Sequence, residues 1–337
     1  MAELQCAKDD TKGALLRIWE EHVLPNWDKV IREPRTRELW WRGVAPKSRA
    51  QVWQKAIGND LALTENTYTK ALQRAKDMEV RIREAGGEEL SKEKAWFDAI
   101  RRDVEVTFAE LNIFQPTGPL HGDLVDILMA YSMYRSDVGY SHGTHVSFGY
   151  FLPLAGLANH GPQLIAALLS LTLPTPSAAF LTLCNLLNRP LPLAFLTGDP
   201  SGTAKAYQLT DGLLSHKFPR LHSHLFSPAS TGLGLTAHEV FEPMMRTLFL
   251  GPGKGLGLET AARVWDVMVF DGDGAIIRIA VAVLGALEGK LYGGKEEALG
   301  VLGWRGGNGR GAWNVSTEDD FMTRARAVGR EEKGKTT

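Results

Sequence analysis

From Val138 through Asn188 the chain carries no Asp, Glu, Lys or Arg. An uncharged run of that length has two destinations, a bilayer or a buried core. A membrane-spanning helix needs about 20 consecutive, predominantly apolar residues. Pro153, Pro162, Pro174 and Pro176 interrupt this run, and the polar "ANHGPQ" sits near its middle. The run therefore reads as core, and a helical membrane protein is the distant alternative. A hydrophobic fraction of 44% is enough to build a large core. The two cysteines, Cys6 and Cys184, give no disulfide framework and suit a reducing compartment. A formal charge of −1 supplies no field to recruit nucleic acid, so no nucleic-acid partner is expected. The charged N-terminus has no apolar segment of the secretory kind.

Outside that run the periodicity is helical. Leu16, Ile18, Trp19 and Val23 mark an amphipathic helix within Leu15 to Trp27. Pro46 starts another, in which Val52, Trp53, Ala56 and Ile57 share a face. Thr64 caps a charged helix that runs to Glu84. Trp96, Ile100, Val104, Phe108 and Leu111 recur at three- and four-residue steps across Lys92 to Leu111. Leu120 to Tyr134 is helical, and so are 164–172, 177–187, 201–216, 238–249, 258–270, 275–291 and 295–303. Alternating strand patterns are nearly absent and no repeat of 20–50 residues appears. The expected fold is all-α with no central β-sheet, and its expected core includes Trp40, Trp53, Trp96, Phe108, Ile127 and Trp265. Residues 1–13 read as a flexible N-terminus, 14–304 as one domain and 305–337 as a loose polar tail.

Several motifs suggest chemistry and do not sustain it. "GPGKGLGLET" lacks the Ser or Thr that a phosphate loop places after its Gly-Lys, and no strand precedes it. "DGDGA" at 271–275 would need a bidentate Glu at its twelfth position to hold calcium, and Ala282 stands there. His216, His222 and His224 have no Cys or carboxylate nearby in the sequence to complete a zinc site. No resident metal or cofactor is expected.

Four separated segments remain: "LWWRGVAPKSRAQVW" (39–53), "IRRDVEVTFAELNIFQ" (100–115), "YRSDVGYSHG" (134–143) and "ARVWDVMVFDGD" (262–273). In that order and spacing they resemble the TBC domain, the Rab GTPase-activating module, over roughly Trp19 to Tyr292. "NLLNRPLPLAFL" and the stretch from Leu111 to Tyr140 look closest to animal TBC proteins implicated in autophagy and recycling endosomes. The resemblance implies a V-shaped all-helical domain that docks a Rab-family small GTPase in a groove. That GTPase, not this chain, would hold GTP and Mg. The location implied is cytoplasmic, with peripheral association on endosomal, Golgi or autophagic membranes. A non-catalytic Rab effector or scaffold on the same fold is the alternative.

Family members supply an Arg in the pattern Ile-x-x-Asp-x-x-Arg and a Gln in Tyr-x-Gln-Gly. The Arg stabilises charge on the transferred phosphoryl group and the Gln positions water. Here Ile100 and Asp103 match, but Val106 holds the Arg position. Tyr140 and Gly143 match, but His142 holds the Gln position. Valine has neither charge nor donor, and imidazole cannot copy a carboxamide's paired donor and acceptor. Arg102, four residues before Val106 and on the same helical face, is the candidate substitute. Arg263, Trp265 and Asp266 belong to the last motif and are expected at the GTPase interface. The segment 146–163 separates the Tyr140 motif from the apolar helix that directly follows it in the family. Val146-Ser147 can be encoded as GTGAGT and Gln163 as CAG, so a retained intron is one origin and a surface loop or hairpin the other.

Overall fold

The computed structural model describes residues 13–85, 92–140, 161–251, 254–304 and 311–329. Helix α1 (13–17) runs on into a π-helical turn at Ile18–Val23. There follow α2 (Trp27–Val30), α3 (Pro34–Arg42), α4 (Arg49–Ile57), α5 (Glu65–Glu84) and α6 (Lys92–Val106). The middle of the chain forms α7 (His121–Tyr134), α8 (Pro162–Thr172), α9 (Pro176–Leu187), α10 (Pro190–Thr197), α11 (Pro200–Lys217) and α12 (Pro219–Phe226). The last helices are α13 (Ala237–Arg246), α14 (Leu258–Asp271), α15 (Asp273–Leu291), α16 (Lys295–Leu302) and α17 (Glu318–Val328). Among the described residues the strands are β1 (Lys254–Gly255) and β2 (Gly311–Ala312), a two-residue parallel pair and no central sheet.

Proline explains how the uncharged run is divided. Pro162, Pro176 and Pro190 each open a helix at the position where the missing N–H costs nothing. The resulting helices are 11, 12 and 8 residues long. No single helix among the described residues is long and apolar enough to cross a membrane, and α9 and α10 meet at a bend of 88°. Their side chains go inward: Leu164 to Leu169, and Phe180 with Leu183, Leu186 and Leu187, are buried.

Two helices organise the rest. α7 lies against α5, α6, α8 and α9, and α15 against α11, α14, α16 and α17. Thr64 closes a capping box with Thr67 at the start of α5. Trp40, Trp53, Ile127 and Trp265 are fully buried, as their spacing predicts. Trp96 and Phe108 are only half-buried, packed against the edge of the core. Truncating one of the buried tryptophans removes a large side chain from a close-packed site, which typically costs about 3–5 kcal/mol.

Three expectations need correction. α6 ends at Val106, not Leu111, because the Thr107 hydroxyl donates to the Asp103 carbonyl at 2.7 Å and Phe108 turns to φ +42°. α10 and α12 are short Pro-initiated helices that periodicity over longer windows does not reveal. The stretch 305–337 does not read correctly as a loose tail throughout. Within it Phe321, Met322 and Ala325 of α17 are buried against α14 and α15, and the Thr317 hydroxyl accepts from the Asp320 N–H at 3.4 Å. Residues 330–337, 305–310 and 1–12 lie outside the described residues.

A charged cluster ties α13 to α11. The Tyr207 hydroxyl donates to Glu242 Oε2 at 2.5 Å, His238 Nδ1 lies 2.6 Å from the same oxygen, and Arg246 Nε donates to Oε1 at 2.8 Å. Burial pushes the Glu242 carboxyl up, but His238, Arg246 and Tyr207 together hold it down at about 2. His238 is raised by its hydrogen bond to Glu242. A depressed carboxylate stabilises the fold above its unfolded value and loses that contribution as pH falls toward the folded one. A raised histidine contributes below its ordinary value and loses it as pH rises through the raised one. Melting temperature measured against pH should therefore fall between about pH 4.5 and 2. Glu242→Gln should lower it near neutral pH and flatten that acid limb. An acid limb unchanged by Glu242→Gln would remove this cluster from the account.

Candidate functional site

The first and last motifs meet at one buried carboxylate. Asp266, on α14, is 0% exposed. Its Oδ2 accepts from the Val44 N–H at 2.9 Å and from Arg49 Nη2 at 3.1 Å. Its Oδ1 accepts from Trp53 Nε1 at 2.8 Å and from Arg49 Nε at 3.1 Å. Burial pushes this carboxyl up from its ordinary value, and Arg49 with the two N–H donors acts in the opposite direction. The rings continue the contact, with Trp53 and Trp265 centroids 5.5 Å apart.

Arg263 completes this frame. Its Nη1 lies 3.9 Å from Asp266 Oδ2, so the local i, i+3 pair exists but is secondary to Arg49. Its Nη2 donates to the Trp41 carbonyl at 3.2 Å and its Nε pairs with Glu318 of α17 at 2.7 Å. The guanidinium fits because residue 43 is glycine. A Cβ there would stand 2.0 Å from Arg263 Nη1, and Gly43 has φ +106°. Gly43→Ala should therefore cost about 1–3 kcal/mol of stability through backbone strain alone, with the clash added. A urea midpoint unchanged within error would contradict this.

The expected interface role of Arg263, Trp265 and Asp266 is corrected by their burial. None of the three offers a free surface to a partner, and each holds α14 to the α3–α4 corner. The residues that the sequence did not single out are Gly43, Arg49 and Glu318. Arg49 and Gly43 lie inside the quoted first motif, but nothing in spacing connects them to a carboxylate more than 200 positions later.

The second and third motifs meet at the end of α6. Ile100 is fully buried and Tyr140 is 2% exposed, so neither is a contact residue as expected; both anchor. The Tyr140 hydroxyl donates to Asp103 Oδ2 at 2.7 Å, with Gln163 Oε1 at 3.5 Å. Burial, with the Asp103 carboxylate next to it, pushes the Tyr140 hydroxyl well above its ordinary value, so it remains a donor. Gln115 Nε2 donates to the Glu105 carbonyl at 3.1 Å and fixes the last turn of α6. On that turn Val106 is 49% exposed. Arg102 is exposed one turn earlier, while Arg101 is paired with Glu79 and Asp98. His142 and Gly143 lie outside the described residues, and so do residues 146–160 of the inserted segment. Its last residues are part of the fold: α8 begins at Pro162, and Gln163 is buried.

An all-α domain with a buried Arg–Asp corner and an exposed α6 end defines the class. The model of the Rab-GTPase-TBC domain matches residues 46–292, and the chain belongs to this family. Over 295 residues it is 34% identical to TBC1 domain family member 14 of Rattus norvegicus, covering 85% of this chain. Over 285 residues it is 34% identical to TBC1 domain family member 12 of Xenopus tropicalis, covering 82% of this chain. The chain spans 38% of the length of each of these relatives. Among solved structures, the Chlamydomonas flagellar RabGAP TBC domain superposes with a TM-score of 0.63 at 21% identity, covering 93% of this chain and 95% of that one. The Ypt/Rab-GAP domain of Gyp1p gives 0.54 at 15% identity, covering 90% and 96%. At these identities the two structures speak to the fold alone.

Proposed function

We propose that the chain binds a Rab-type small GTPase over the surface that carries the end of α6 and stimulates its GTP hydrolysis weakly. Family membership supports a Rab GTPase-activating or regulatory role. The observation that carries the finer reading is Val106, an exposed apolar side chain on an anchored turn where the family pattern asks for Arg. Without a guanidinium there, the term worth roughly 10³–10⁵ in rate is missing. GTP and Mg belong to the partner, and the chain brings no cofactor of its own. It acts in the cytoplasm, peripherally at endosomal, Golgi or autophagic membranes.

A second reading rests on Arg102. It is exposed on the same helical face as Val106, about 6 Å back along the axis. A long arginine side chain partly spans that distance, at a different angle. Multiple-turnover GTP hydrolysis across a panel of Rab proteins, with binding measured in parallel, separates the cases. Binding with weak stimulation supports the first. Strong stimulation abolished by Arg102→Ala supports the second. Binding with no stimulation supports an effector or scaffold, and no binding to any Rab contradicts all three.

A further inference from the structure

Between α2, the start of α3, α4 and the end of α14 lies a cleft of about 620 Å³. We propose that it binds a phosphorylated anionic ligand, away from the α6 surface. Its apolar walls are Trp27, Ile31 and Phe270, and three cations, Arg32, Arg37 and Lys55, line it. Lys55 Nζ sits 5.9 Å over the Trp27 ring and the Arg37 guanidinium 5.9 Å over the Phe270 ring. A ring face attracts a cation by roughly 0.5–1 kcal/mol at exposed sites but does not neutralise it. Neither Arg32 nor Lys55 makes a hydrogen bond or ion pair among the described residues. Arg37 forms an ion pair with Asp271 at 3.5 Å, and its side chain stays 66% exposed.

Two carboxylates also line the cleft. Glu38 is engaged by Arg326 of α17, which leaves Glu33 as the acid facing the three cations. Counted over the lining, three cations against Glu33 and Glu38 leave an excess of one positive charge, which favours an anion such as a phosphate monoester, with its close to two negative charges near neutral pH. Guanidinium forks suit phosphate oxygens in pairs, and an ammonium adds a point charge. Behind the wall the aromatic packing is continuous. Trp40, fully buried and outside the cleft, packs edge-on against Trp27 and stacks on Phe270, which holds both rings in place. The aromatic and aliphatic surface then covers the organic body of the ligand.

The phosphate can come from a soluble compound or from a phospholipid headgroup. Two probes distinguish them: calorimetric titration with pyrophosphate, and co-sedimentation with phosphatidylcholine vesicles with and without phosphatidic acid. At least one probe should bind, and Arg32→Ala with Lys55→Ala should weaken it about tenfold or more. Lys70→Ala, on α5 outside the cleft, should change nothing. Binding of pyrophosphate alone identifies a soluble ligand, and binding only to vesicles with phosphatidic acid identifies a headgroup. Both replaced side chains are exposed, so the double variant should stay folded, with its melting temperature lowered by no more than the loss of the Lys55–Trp27 contact allows. No binding of either probe, or binding unchanged in the double variant, overturns the proposal. GTPase binding is scored separately and should be the same in parent and double variant.

Discussion

Asp266→Ala should cost about 3–5 kcal/mol of folding stability, the range for breaking a buried ion pair by removing one partner. The size follows from what is left behind. The Val44 N–H, the Trp53 indole N–H and the Arg49 guanidinium all lose their acceptor in a place where water does not replace it. Asp266→Asn should be nearly as damaging. One carboxamide oxygen can serve one side, but its NH₂ then faces the donors on the other. Domains are stable by only about 5–15 kcal/mol, so either variant should remove a large share of the total. Urea unfolding followed by tryptophan fluorescence measures this, and a loss below about 1 kcal/mol would show that the corner is not held by this carboxylate. Arg49→Met should be milder than Asp266→Ala, because Asp266 keeps two N–H donors and the nearby Arg263.

The all-helical class was legible because the evidence for it is local. Periodicity marks α5 and α7, and Thr64 marks a helix start. The end of α6 was not legible. Trp96, Ile100, Val104, Phe108 and Leu111 keep a helical rhythm across a turn where Phe108 and Asn112 adopt left-handed backbone. Periodicity records which side chains face inward, and a tight turn can keep them facing inward after the helix has stopped. α17 was missed for the opposite reason. Its apolar residues are few among charges and follow a glycine-rich stretch, so only the surface of α14 and α15 shows that they have somewhere to go.

The site was legible in its parts and not in its roles. The motifs containing Trp53, Asp266, Asp103 and Tyr140 stand out as segments, and exposure then divides them. Asp266 and Tyr140 are buried and position the frame, while Val106 and Arg102 face outward. A sequence does not distinguish a charged residue that meets a partner from one that meets another part of its own chain. Asp266 and Arg49 are joined by a hydrogen bond across 217 positions, a contact that the fold alone creates.

Restoring both fingers should produce the largest change in activity. Val106→Arg with His142→Gln should raise Rab-GTP hydrolysis at least about 100-fold over the parent, a threshold set below the roughly 10³–10⁵ that an arginine in trans can supply. The structure supports Val106→Arg as a tolerated change, since residue 106 is 49% exposed and the turn that carries it is tied down by Gln115 and Thr107. Arg stabilises charge and Gln positions water, so both act on one barrier and their effects need not add. The geometry of position 142 is the weaker link, because a 1 Å displacement can cost about 100-fold. The repaired chain should therefore also be made without the inserted segment, in two versions. Deletion of 146–160 keeps Pro162 at the start of α8 and Gln163 beside Tyr140. Deletion of 146–163 joins the Tyr140 motif directly to Leu164, as the family pattern does. If the longer deletion is active and folded, the segment is dispensable and the retained-intron origin gains support. If only the shorter one folds, Pro162 and Gln163 are part of the native helix start. A parent that already matches a two-finger activator would make Arg102 or another donor catalytic. A repaired chain that binds its Rab and stays inert in every version would mean that Val106 and His142 are not the finger positions.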